Sequence, residues 1–414
     1  MLKISILTIG DEICIGQIVN TNASWIANCC TETGARALIH VSVPDEKDML
    51  VKNLEMLIKI SDVVLCTGGL GPTHDDITKP VLTEFFSDKL IFHKPTNDYL
   101  AELYKKRGVK FSGRNKELAY LPSNCTILHN RVGAAPGMLF ESAGKYVISM
   151  PGVPSEMKAI MTDHVIPFIK KLIADRKEDI ILYRTLQTIG ISESALADLL
   201  GKPSKFLRGG SLAFLPSYKG VKLRIGAQAS DFETAKISLD IIENHIRSKT
   251  EKFIYSVGEE SISMKVGKLL RENGKTLAVA ESCTGGMLGA ALTDIPGSSD
   301  YFFGGFIAYS NEAKINLLKI EKEIIDKHGA VSEETASKLA ENARALLKTD
   351  YGIGITGIAG PGGGTKDKPV GTVWIAISDV NSTEAKKFVF GGDRAINREL
   401  SVGQAFGILF SKLK

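Results

Sequence analysis

The sequence predicts an α/β fold in three segments, and three observations lead there. Short apolar runs of strand length alternate with stretches of helical periodicity from the first residues onward. Glycine-rich turns follow several of those runs, where parallel sheets carry their ligand loops. At 414 residues the chain is too long for one ordinary core. The boundaries expected are 1–172 for an N-terminal parallel-sheet domain, 173–255 for a small α+β module, and 256–414 for a C-terminal three-layer α/β/α domain.

In the first segment Lys3 to Ile9 reads as a strand and Gly10-Asp11-Glu12 as the turn after it. Asn22 is positioned to cap a helix running to Thr33, with Gly34 as its stop. Arg36 to Val43 is a second strand, Asp45 to Ile60 a helix, and Asp62 to Cys66 a third strand. This β-α-β-α-β order implies a parallel sheet covered by helices. Lys145 to Ser149 is a further strand, and the loop Met150 to Met157 leads from it into a helix starting at or just before Ser155. The helical run through Lys171 closes the domain.

The middle segment reads as a strand at Ile180–Thr188 and a helix at Ser192–Leu200. Strands at Leu212–Pro216 and Val221–Ala227 follow, turned by Tyr218-Lys219-Gly220, and then a helix at Asp231–Ser248. It lacks a G-x-x-G loop between helices and an aromatic platform, so a spacer or dimerisation role is expected ahead of RNA binding. In the last segment, helix Ile262–Glu272 leads to a strand at Lys275–Val279. Strands at Phe302–Tyr309, Tyr351–Ile355 and Gly371–Ser378 follow, with helices at Lys319–His328, Ser332–Leu347 and from Ala395 onward.

Composition narrows the function classes. The hydrophobic share of 44% and charged share of 24% are those of a globular protein in water. A net charge of +4 is small for this length and gives no reason to expect a nucleic-acid groove or a membrane-binding face. The N-terminus runs straight into a strand pattern without an apolar leader, and no apolar run reaches the ~18 residues of a membrane span. Six cysteines without a C-x-x-C pair read as reduced thiols, so a cytoplasmic location is expected.

Two regions carry chemistry. In the first, the loop T-G-G-L-G-P-T-H-D-D, Thr67 to Asp76, has glycines where backbone amides can turn inward to cradle an anion. Asp75 and Asp76, with Asp11 and Glu12 at a neighbouring strand end, offer oxygen ligands to a hard divalent cation. A sharp turn with a capping aspartate would account for Asp76 alone. The second is A-E-S-C-T-G-G, Ala280 to Gly286, between a strand and a helical segment. There Ser282 is either an N-cap or an exposed nucleophile, with the N–H groups of Cys283, Thr284, Gly285 and Gly286 as oxyanion donors. Cys283 is the rival nucleophile, but no histidine base is close in sequence; His328 is the nearest downstream.

The N-terminal loops Gly10-Asp11-Glu12, Gly16 to Asn22, Thr67 to Asp76 and Pro151 to Glu156 together resemble the molybdopterin-binding type of domain that opens the CinA family. A-E-S-C-T-G-G and Y-S-N-E-A-K (309–314), with H-G-A-V-S (328–332), G-I-T-G-I-A-G-P-G-G-G (354–364) and G-G-D-R (391–394), resemble that family's nicotinamide-mononucleotide deamidase domain. The resemblance covers nearly the whole chain. For the C-terminal domain it implies a Ser/Lys hydrolase without a cofactor, acting on nicotinamide mononucleotide. Ser282 is then the nucleophile, Lys314 the base, and Tyr309 the residue that holds the pair or lines the ring site. Thr356, Gly357, Gly360, Gly362 and Arg394 receive the ribose phosphate. For the N-terminal domain it implies ADP-ribose pyrophosphatase activity. The pyrophosphate is held by Thr67, Gly68, Gly69, Gly71 and Ser155. A divalent metal (Mg, Mn or Co, with K+ as a possible companion) is held by Asp11, Glu12, Asp75 and Asp76. It also implies a homodimer. The alternative is a non-catalytic nucleotide- or pterin-binding scaffold connected with competence.

Overall fold

A computed structural model describes residues 1–217 and 220–414. The expected turn at Tyr218 and Lys219 lies outside the described residues. By internal contacts the chain divides into two compact units, Met1–Tyr183 with Gly226–Leu239, and Arg184–Ile225 with Asp240–Lys414.

In the first unit the strands are β1 (Lys3–Ile9), β2 (Arg36–Val43), β3 (Val63–Thr67), β4 (Leu90–Phe92), β5 (Tyr120–Pro122), β6 (Thr126–Leu128), β7 (Gly137–Ser142) and β8 (Lys145–Met150). Six form one sheet in the order β2-β1-β3-β8-β7-β6, and β4 pairs with β5. Four neighbours, β2-β1-β3-β8, are parallel. Successive β1 residues face opposite sides: Ile4 and Ile6 join one core cluster, Leu7 and Ile9 the other. Both faces are therefore covered, and every residue of β1 but Lys3 is buried.

The sheet departs from the parallel expectation at one edge, where β7 runs antiparallel to β8 and β6. The cause is local. Ala143 and Gly144 between them both take positive φ, the two-residue turn that folds a strand back on itself. A second departure concerns the first long helix, Thr21–Glu32. Its cap is Asn20, whose side chain accepts from the Ala23 N–H, whereas Asn22 donates to the carbonyl of Gly152. Gly10-Asp11-Glu12 is also more than a turn, since Asp11–Cys14 forms one helical turn.

The second and third sheets comprise β9 (Ile180–Thr188), β10 (Ser211–Ser217), β11 (Gly220–Ala229) and β12 (Ile254–Val257), ordered β10-β11-β9-β12, then β13 (Leu277–Glu281), β14 (Phe302–Ile307), β15 (Tyr351–Gly357), β16 (Thr372–Ser378) and β17 (Thr383–Val389), ordered β14-β13-β15-β16-β17. The last sheet is parallel at β14-β13-β15 and antiparallel beyond it. Leu277 and Val279 pack with helices Ile262–Glu272 and Arg394–Leu413, while Ala278 and Ala280 pack with helix Glu333–Leu347 on the other face. These are the three expected layers. No helix among the described residues is long and apolar enough to cross a membrane.

Candidate active site

Strand β13 runs two residues further than its apolar pattern suggests and ends at Glu281, so Ser282 is the first residue past a central parallel strand. Its N–H donates to the Ile355 carbonyl of β15. Ser282 is not an N-cap. The helix after it begins only at Met287, with Gly286 at the cap in a left-handed conformation (φ 97°). That φ favours glycine, and a Cβ there would also press on Ile307 at 3.1 Å.

Lys314 sits on the short helix Asn311–Leu318, capped by Ser310, an element absent from the sequence expectation. It is 1% exposed, and its Nζ lies 3.1 Å from Ser282 Oγ, 2.9 Å from the Ala308 carbonyl and 3.1 Å from the Tyr309 carbonyl. Among the described residues no carboxylate pairs with it. Burial pulls its pKa below the ordinary 10.5, with the Cys283 sulfur opposing weakly. A neutral Lys314 gives its two N–H groups to the two carbonyls and turns its lone pair to the Ser282 hydroxyl.

Glu281 is the residue that sequence reading missed here. Its carboxylate, 1% exposed, accepts from the N–H groups of Gly286 (3.1 Å), Leu288 (3.0 Å) and Gly289 (2.8 Å). The Gly285 N–H goes to the Ser282 carbonyl. Of the four expected oxyanion donors, Gly285 and Gly286 are thus committed elsewhere. Of those four, the N–H groups of Cys283 and Thr284 make no hydrogen bond to a neighbour among the described residues. Arg398, also unforeseen, donates to the Thr284 carbonyl at 2.7 Å.

Tyr309 connects two parts of the site. Its carbonyl accepts from Lys314, and its hydroxyl accepts from Arg394 at 3.1 Å. Arg394 also donates to the Gly360 carbonyl at 2.8 Å, so G-G-D-R meets the glycine-rich loop. Buried Asn397 stitches them, donating to the Ala359 and Gly392 carbonyls. Thr356 is buried, and its hydroxyl donates to the Ala330 carbonyl. Gly357 pairs with Val373 in the sheet, while Gly362 lies on the exposed outer part of the loop.

The rival nucleophile fares poorly. Burial pushes the Cys283 thiol up to about 11. His328 faces Glu334 at 2.8 Å, and among the described residues no histidine is bonded to Cys283. If this site hydrolyses an amide, Cys283→Ala should therefore retain the activity within about threefold, by the usual size of a change that leaves transition-state contacts intact; loss of activity with Ser282 present would make the thiol essential.

In the N-terminal unit the expected loops surround a cavity of about 500 Å³ lined by Thr67 to Pro72, Asp75, Asp76, Glu12, Asp45, Asn22 and Glu156 among others. The nest is narrower than expected. The Thr67 hydroxyl donates to the Pro151 carbonyl, the Gly68 N–H to the Met150 carbonyl, and the Gly71 N–H to Asp76. Gly69 and Leu70 keep N–H groups with no acceptor among the described residues. Gly68 has φ 111°, and a Cβ there would lie 2.0 Å from the Ile9 carbonyl oxygen. Ser155 is exposed on the first turn of helix Pro154–Ile160 and does not line the cavity; its neighbour Glu156 does. Burial raises the Glu156 pKa, and Asn130 donates to its carboxylate at 2.6 Å.

Of the four expected metal ligands, Glu12, Asp75 and Asp76 line this cavity, but they are not grouped closely enough to hold an ion. Among the described residues no group of three or more His, Cys, Asp or Glu side chains is placed to hold an ion. Asp76 is spent on its own loop, accepting from the N–H groups of Gly71 and Thr73. The Asp11 N–H donates to the carboxylate of Asp45, a residue not foreseen, and the Asp45 N–H to the carboxylate of Asp11, while Asp75 is exposed.

Comparison with known proteins follows from these sites. The description "CinA C-terminal domain" matches residues 259–413, "Probable molybdopterin binding domain" residues 5–171, and "Damage-inducible protein CinA KH domain" residues 183–256. A CinA-like protein of Chloroherpeton thalassium is 39% identical over 403 residues, covering 95% of each chain. The chain belongs to the CinA family. A CinA-like protein of Salinibacter ruber is 39% identical over 406 residues, covering 98% of each chain. A crystal structure of a CinA superfamily protein from Klebsiella pneumoniae is 35% identical and covers 37% of this chain and 95% of its own, with a TM-score of 0.36. Within this CinA chain, the Ser282–Lys314 pair falls in the C-terminal match and the cavity loops in the first.

Proposed function

We propose that the C-terminal domain is a serine amidohydrolase that converts nicotinamide mononucleotide to nicotinate mononucleotide and ammonia. The observation that supports it most is the buried Lys314 amine at 3.1 Å from Ser282 Oγ, held by two carbonyls and no carboxylate. Ser282 Oγ attacks the carboxamide carbon as its proton passes to Lys314. The N–H groups of Cys283 and Thr284 receive the oxyanion. Lys314 returns the proton to the departing nitrogen, and ammonia leaves an ester on Ser282. Water, deprotonated by Lys314, then attacks the ester, which releases the carboxylate and restores the serine. The phosphate is assigned to the loop at Gly357–Gly364 and Arg394. The test is ammonia release from nicotinamide mononucleotide by the full chain, with and without EDTA. Equal rates are expected; no release, or release lost on chelation, would remove the reading.

The N-terminal cavity favours a second reading, binding of ADP-ribose with its pyrophosphate on the Gly69 and Leu70 N–H groups. No hydrolytic step is assigned, because the carboxylates do not form a metal-holding group. Calorimetric titration should show ADP-ribose binding that Gly68→Ala abolishes, since the added Cβ must displace the loop backbone. AMP release with Mg, Mn or Co tests whether cleavage accompanies binding. Unchanged affinity in Gly68→Ala would place the nucleotide elsewhere.

A further inference from the structure

We propose that Glu281 is the positioning residue of the oxyanion turn, reserving the Cys283 and Thr284 N–H groups for the substrate by occupying the amides beyond them. The proposal deepens the amidohydrolase reading and rests on Ser282 acting as a nucleophile.

The turn from Ser282 to Gly286 leads into helix Met287–Thr293. The first N–H groups of any helix lack intrahelical acceptors and form an electropositive end. Left open, that end would compete with the turn for a developing negative charge and let the turn reorient. Glu281 closes it. One buried carboxylate accepts three backbone N–H groups at 2.8–3.1 Å, so the strand end is tied directly to the helix it precedes. No other cap is present, for Gly286 has no side chain to serve as one. From the other side Arg398 holds the Thr284 carbonyl. With the Gly285 N–H on the Ser282 carbonyl, the turn has every nearby amide spoken for except the two next to the nucleophile. Among the described residues Glu281 makes no hydrogen bond to Ser282 Oγ or Lys314 Nζ; its hold on the turn is through the backbone N–H groups.

Glutamine at this position offers one acceptor oxygen and sets an N–H donor against the helix amides. Aspartate keeps the charge but is one methylene too short to span them. The test uses the full-length protein in two assays. One is steady-state ammonia release; the other is phosphonylation of Ser282 by a fluorophosphonate, followed by mass spectrometry, which needs the nucleophile and its oxyanion donors but no particular amide. Glu281→Gln and Glu281→Asp should each lose about 10²-fold in kcat and in phosphonylation rate, the scale of a lost oxyanion donor. KM should stay within about threefold, as expected for a contact made only in the transition state. Either variant, folded and retaining both rates within about threefold, overturns the proposal, as does a loss confined to KM. Should the substitutions prevent folding, hydrogen exchange in the unaltered protein decides. The amides of Gly286, Leu288 and Gly289 are expected to be protected and those of Cys283 and Thr284 not; equal protection overturns it. Ser282 phosphonylation without ammonia release would refute the substrate while leaving the Glu281 test intact.

Discussion

On the proposed amidohydrolase reading, Ser282→Ala is expected to reduce ammonia release from nicotinamide mononucleotide by about 10⁴-fold or more, as loss of a nucleophile does when the rest of a catalytic unit depends on it. The fold is expected to survive. The Ser282 backbone is fixed by the Ile355 carbonyl, and the side chain contributes one hydrogen bond, to Lys314. Unfolding should therefore shift by no more than the ~2–4 °C that 1 kcal/mol represents in a domain of this size. Residual activity above about one part in a hundred would mean that attack does not pass through Ser282.

Lys314→Met carries the second large effect. Methionine fills the same slot but cannot take a proton, so kcat should fall by about 10³-fold, within the range for removal of a general base. In the unaltered enzyme kcat/KM should rise with pH as Lys314 loses its proton, levelling off below 10.5 because burial lowers the pKa. Stability carries the same signature. The unfolded chain keeps the Lys314 proton up to its ordinary 10.5, whereas the folded protein releases it earlier. The folded state thus bears a penalty that is full below the lowered pKa and fades as pH rises toward 10.5. Lys314→Met removes that penalty, so its stability relative to the parent should be greatest at low pH and decline as pH rises. Denaturant melts across the pH range measure this, and the opposite trend would mean that Lys314 gains a stabilising partner on folding.

The layered fold was legible because apolar runs of period two and helical stretches alternate cleanly from Lys3 to Cys66 and again from Ile262 onward. The antiparallel edges were not: β7 folds back on β8 through Ala143 and Gly144, whose φ signs a strand pattern does not reveal, and β16 reverses against β15 after the long glycine-rich loop. At the active site the motifs led to Ser282, Lys314, Tyr309 and Arg394, and the structure joins these four in one hydrogen-bonded chain. Glu281, Asn397 and Arg398 escaped because their partners are backbone groups, which carry no sequence signature. Ser155 and Asp76 were misjudged for related reasons. The first helical turn points Ser155 outward, and Asp76 is consumed by the loop it helps to build.

Tyr309 gives the site a property that neither motif has alone. Its carbonyl accepts from the Lys314 amine, and its hydroxyl accepts from the Arg394 guanidinium. A molecule that draws Arg394 toward an anion pulls on the same residue that orients the base. On the proposed reading, the phosphate-bearing end of the substrate and the base at its reacting end are thus linked through one residue, by its hydroxyl and its main-chain carbonyl, and a fragment lacking the phosphate should be turned over more slowly even at saturation.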